Sequence, residues 1–141
     1  MTDRQKLVEQ LMLHEGVRSK PYMDSVGKIT IGVGRNLSDV GLSDSEIFVL
    51  LNNDIDAVLH DLSTFPWFDS LDPIRQRVLA DVRFNLGPAR LRGFHLMLHA
   101  LSRADYIAAA GELRDSRWFT QVGARGPRLV AMLRTGEDYH V

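Results

Sequence analysis

Glu15, Asp24 and Thr30 are the residues of this chain whose types and spacing could do chemistry together. Glu15 closes a segment of helical periodicity, while Asp24 and Thr30 flank the turn Ser25-Val26-Gly27. A helix end beside a short hairpin can hold two carboxyls across a cleft without direct contact. The negative pole of a helix end favours a carboxyl that keeps its proton, as a general acid must. The turn after Asp24 offers backbone donors to an ionised carboxylate. Two carboxyls in unequal surroundings, with a hydroxyl to position water, suit glycoside hydrolysis. For the inverting form of that reaction the carboxyls stand roughly 6.5–9.5 Å apart. Spacing alone leaves a second reading open, because carboxylates near turns commonly serve as surface caps.

Other constellations fail on their own chemistry. Gly32-Val33-Gly34 lacks the third glycine and the helix of a dinucleotide fingerprint. His95 and His99 stand four apart on a predicted helix with no carboxylate ligand in prospect, so no metal is expected. Asn52-Asn53-Asp54-Ile55-Asp56 lacks the glycine and distal glutamate of a calcium loop. The absence of cysteine excludes disulfides, thiolate zinc sites and a cysteine nucleophile. No apolar run approaches the ~20 residues of a membrane span, and the opening MTDRQKLVEQ lacks the apolar core of a signal peptide.

The elements that must position the triad follow from hydrophobic period. Leu7, Val8, Leu11 and Met12 mark a first helix over about 3–14, with Gly16 as its terminator. Ile29, Ile31 and Val33 alternate with Thr30, Gly32 and Gly34, so 22–34 reads as a hairpin with Thr30 turned from the apolar side. Ser43-Asp44-Ser45-Glu46 is a capping box before a long amphipathic helix. Asp72-Pro73 opens another helix, Phe94 to Leu101 another, Ser102 caps one through 108–113, and 127–134 forms the last. The fold class is α+β, mostly α, with 141 residues fitting one domain.

Leu13-His14-Glu15-Gly16 followed by Tyr22-Met23-Asp24 through Gly34 resembles the active-site signature of phage-type lysozymes, glycoside hydrolase family 24. Arg83-Phe84-Asn85-Leu86-Gly87, Gly93-Phe94, Ser116-Arg117-Trp118-Phe119-Thr120-Gln121 and Arg134-Thr135-Gly136 are similar to that family too, in the same order. The resemblance implies a lysozyme-like fold: a hairpin lobe over about 15–42, a connecting helix over 44–61, and a helical lobe over 62–141 that includes the first helix. It implies a cofactor-free muramidase acting on peptidoglycan glycan strands, with Glu15 as proton donor, Asp24 as general base or nucleophile, and Thr30 holding the attacking water. Phe84, Gln121 and Arg125 match the family's cleft region. The family's setting is an endolysin made in the host cytoplasm and released through a separate pore protein. The alternative is a catalytically weak module that keeps the fold and binds or scaffolds the wall.

The chain departs from that pattern in places. Arg35-Asn36 stands where relatives have His-Leu, so Asn36 is expected to line the cleft with an amide. Arg35 takes the place of a histidine that pairs with an aspartate matching Asp54, so an Arg35–Asp54 ion pair is expected. Glu112 and Met97 replace small polar cleft residues, and Gly126-Pro127 interrupts a helical stretch. Residues 41–90 carry a net charge of −4, whereas 91–141 carry +2, including Arg114, Arg117, Arg125, Arg128 and Arg134. With −1 overall, nucleic acid is not an expected partner, and the chain is expected to act as a monomer without membrane insertion. Among the arginines, Arg125 is the expected neighbour of Glu15.

Overall fold

Asp3 opens the chain's first helix in a computed structural model that describes residues 3–140. Its side chain accepts a hydrogen bond from the Lys6 N–H at 3.0 Å, satisfying one free donor of α1, Arg4–Glu15. Gly16 ends α1 at φ 76°, a conformation open to glycine, and its N–H donates to the Met12 carbonyl. No residue of α1 is buried.

Three antiparallel strands follow: β1 (Arg18–Met23), β2 (Ile29–Gly32) and β3 (Arg35–Asn36), in the order β1-β2-β3. The third strand extends the expected hairpin. Thr30 pairs with Tyr22 on one side and Asn36 on the other, at the centre of the sheet. It is 4% exposed, while Ile29 and Val33 are 46% and 40% exposed. Hydrophobic alternation therefore assigned burial to the wrong side of β2: the central pairing position encloses Thr30, whatever its polarity.

The Ser43 box forms as expected at the start of α2, Asp44–Leu62. The Glu46 N–H donates to Ser43 Oγ at 3.3 Å, and the Ser43 N–H donates to Glu46 Oε1 at 2.8 Å. That same glutamate takes Arg35, whose Nη1 lies 2.7 Å from Glu46 Oε2 and also donates to the Gly41 carbonyl. Glu46 is thus a carboxylate partner of Arg35 that the sequence reading, which named Asp54, did not foresee. The loop from β3 to α2 is short, so the first turn of α2 presents Glu46 within reach of the guanidinium. The Arg35 hydrogen bond, helped by those from Ser43, holds the Glu46 carboxyl down to about 2.

Contacts gather the chain into two compact units, one ending at Leu50 and one beginning at Leu51. The first holds α1, the sheet and the start of α2.

The second unit is built from the rest of α2 with α3 (Pro73–Leu86), α4 (Pro88–Arg92), α5 (His95–Ser102), α6 (Tyr106–Arg114), α7 (Arg117–Gln121) and α8 (Arg125–Thr135). Its core includes Leu62, Val78, Leu91, Met97, Leu113 and Leu133, each almost wholly removed from water. Burial of each such side chain contributes about 1.5–3 kcal/mol. Asp72 caps α3 as its sequence predicts, accepting from the Arg75 N–H. The cap of α6 is Asp105 and not Ser102, whose hydroxyl turns back to the His99 carbonyl inside α5. Gly126 and Pro127 lie inside the first turn of α8, where a missing N–H breaks no helical bond, so the helix begins earlier than expected. Asp61 binds Arg83 Nε at 2.6 Å and Arg92 Nη2 at 2.8 Å, tying α2 to α3 and α4. Among the described residues no helix is long and apolar enough to cross a membrane.

Candidate active site

Asp24 leaves β1 and folds over its own turn. Its Oδ1 accepts from the Val26 N–H at 3.0 Å and from the Lys28 N–H at 2.8 Å. Gly27, at φ 83°, makes that turn possible. Among the described residues no hydrogen bond reaches Oδ2. One oxygen of the carboxylate thus anchors it to the turn.

Thr30 is tied to the same peptide. Its hydroxyl donates to the Lys28 carbonyl at 3.1 Å, and the Asp24 N–H donates to that carbonyl at 2.9 Å. The Thr30 proton being committed, its oxygen can only accept from a further partner such as water. The main chain of Lys28 therefore holds Asp24 and Thr30 in one fixed relation.

Glu15 is the last residue of α1 and its side chain is exposed. It packs against the turn from β2 to β3. A Cβ placed on Gly34, whose φ is +65°, would stand 2.7 Å from Glu15 Oε2 and 2.9 Å from Cδ. Sequence reading takes Gly34 only as a strand residue; its fit against a side chain nineteen positions earlier leaves no mark in the local pattern.

The other expected contact residues fall in both units. Asn36 spends both ends of its amide on Asp39, Nδ2 donating to the carboxylate at 3.1 Å and Oδ1 accepting from the Asp39 N–H at 2.9 Å. These bonds brace the loop after β3. Phe84 and Arg125 share a pocket of about 280 Å³ with Ile55, Val58 and Asp81. Arg125 Nε lies 2.9 Å from Asp81 Oδ1, a buried oxygen with no aligned hydrogen bond. α3 packs on α8 and brings Asp81 to the start of that helix. Gln121 lines a separate pocket of about 600 Å³ with Phe94, Met97, Glu112, Arg117 and Trp118. The Trp118 indole N–H donates to Asn85 Oδ1 at 2.9 Å and fixes one wall of it. His95 and His99 acquire no third ligand: among the described residues no three side chains gather as a metal site.

Known proteins are similar in sequence to this chain along most of its length. The chain is 25% identical to the pre-baseplate central spike protein Gp5 of Enterobacteria phage T4, over 96% of this chain but only 29% of the spike protein. It is 24% identical to "Probable T4-type lysozyme 2" of Dictyostelium discoideum, over 92% of this chain and 94% of that one. It is 31% identical to the SAR-endolysin of Bacteriophage PS119, over 74% of this chain and 62% of that one. The phage lysozyme family itself matches residues 12–134, a span that holds Glu15, Asp24 and Thr30 together with the helical unit. The chain belongs to the phage lysozyme family.

Proposed function

We propose that this chain is a muramidase, cleaving the β-1,4 bond between N-acetylmuramic acid and N-acetylglucosamine in peptidoglycan with inversion. The observation that carries the reading is the shared anchoring of Asp24 and Thr30 on the Lys28 peptide, which leaves one carboxylate oxygen and one hydroxyl oxygen free to hold water. Glu15 gives its proton to the glycosidic oxygen as the bond to the anomeric carbon breaks. Water attacks that carbon from the opposite face, one of its protons passing to Asp24 Oδ2 while Thr30 Oγ1 accepts a hydrogen bond from the other. Water needs room between the carboxyls, so their separation in this reading is that of an inverting pair.

Phe84 and Gln121 supply an aromatic face and an amide to the sugar strand. Arg125, paired with Asp81, acts on the strand at short range only, since a net charge of −1 gives little long-range attraction to an anionic wall. The setting that fits is an endolysin working as a monomer, made in the cytoplasm and reaching the wall through a separate pore protein. The relatives' names support a lysozyme and an endolysin role.

Clearing of permeabilised bacterial suspensions tests the reading. Glu15→Gln should lower activity about 10³-fold with the fold intact, because only the donated proton is lost. Activity within tenfold of wild type removes Glu15 from the mechanism. NMR of the first-formed sugar should show the inverted anomer. A wild-type chain that binds purified walls yet releases no reducing ends would refute the enzyme in favour of a wall-binding module.

A further inference from the structure

We propose that Gly34 is a positioning residue for the acid: its bare Cα forms the slot that fixes the Glu15 carboxyl. The proposal rests on the reading of Glu15 as proton donor. Among the described residues of the first compact unit the Glu15 carboxyl has no hydrogen-bond or ion-pair partner, and within that unit the turn after β2 is what it packs against. Its backbone end is set by the Gly16 cap of α1, whose N–H holds the Met12 carbonyl. Its carboxyl end meets the main chain of the turn after β2, close enough that a Cβ at position 34 would contact Oε2 at 2.7 Å, Cδ at 2.9 Å and Cγ at 3.1 Å. Ordinary van der Waals contact begins at 3.4 Å, so a methyl there would push the carboxyl oxygen back by about 0.7 Å. A displacement near 1 Å at a reacting group costs on the order of 10²-fold in rate.

The residue that ends β2 supplies a control. Gly32 has φ +69°, nearly that of Gly34, but a Cβ there would meet nothing within 4 Å. Alanine at either position meets nearly the same left-handed φ, and only at 34 does its Cβ reach the acid.

The experiment compares Gly34→Ala with Gly32→Ala, and Gly34→Asn with Gly32→Asn, since asparagine tolerates the left-handed region and keeps the test open if the alanine variants fold poorly. Thermal midpoint, kcat and KM are measured on soluble glycan strands, with Glu15→Gln as reference. The expected result is similar stability loss at both positions, kcat lowered about 100-fold at 34 and less than about fivefold at 32, and KM unchanged within threefold at both. In a Glu15→Gln background, Gly34→Ala should take away nothing further. Equal kcat at 34 and 32, or a loss at 34 that follows the thermal midpoint, overturns the proposal while Glu15→Gln remains inactive. An active Glu15→Gln would instead overturn the acid assignment, and this inference with it.

Discussion

The proposed mechanism gives Asp24 two jobs on two oxygens, and two substitutions separate them. Asp24→Asn can keep Oδ1 as acceptor for the Val26 and Lys28 N–H groups, at 3.0 and 2.8 Å, and replaces the unoccupied Oδ2 with an amide that cannot take a proton. Asp24→Ala removes both. A hydrogen bond to a charged acceptor contributes about 1.5–3 kcal/mol where it is buried. Here one donor is exposed and the other half-buried, and both can return to water, so the pair together is worth about 1–2 kcal/mol. Asparagine should cost about 0.5 kcal/mol, the difference between a charged and a neutral acceptor. Loss of the base should reduce rate about 10²–10⁴-fold in both variants. Urea denaturation beside a clearing assay therefore gives two variants alike in activity and unlike in stability. Equal stability of Asn and Ala variants would refute the anchoring role of Oδ1. An Asn variant with more than a tenth of wild-type activity would refute the catalytic role of Oδ2.

Asp61→Asn should lower stability at pH 7 by about 2–3 kcal/mol in denaturant titration, because Arg83, only 13% exposed, loses its counter-charge while Arg92 can turn to water. Hydrogen bonding from Arg92 leads the effects that hold the Asp61 carboxyl below its ordinary value, so this contribution is full above the unfolded carboxylate range and fades as pH falls through the folded value. The gap between wild type and variant should shrink in acid; a gap as large at pH 2 as at pH 7 would refute this. Glu46 should titrate in carbon NMR with a midpoint of about 2, and a midpoint near the ordinary 4.5 would show that the Arg35 link does not form in solution. That link should be intact above the ordinary value, weaken as pH falls towards 2, and survive alkaline pH because arginine keeps its proton.

What the sequence makes legible here is what neighbours decide. Gly16, the Ser43–Glu46 box and the Asp72-Pro73 start are contests among residues a few positions apart, and each forms as its local chemistry dictates. The turn donors offered to Asp24 belong to the same class. The partners of Arg35 and Arg125 are not local. A guanidinium on a long stem takes whichever carboxylate packing brings closest, and packing brought Glu46 and Asp81. Thr30 fails for a related reason: its enclosure comes from strands on both sides, and the two-residue β3 carries too little periodicity to announce itself. Gly34 is legible as a glycine and illegible as a neighbour of Glu15.

Lys28 contributes its peptide group to Asp24 and Thr30, and its ammonium goes elsewhere, to Asp39 at 3.1 Å. The candidate chemistry is thus written into main-chain atoms that almost every amino acid carries. Position 28 can drift through many side chains under selection for the surface alone, with the anchoring of Asp24 and Thr30 undisturbed. Proline is the exception, since it has no N–H to give Asp24. A site supported in this way is robust to single-nucleotide change at its own keystone.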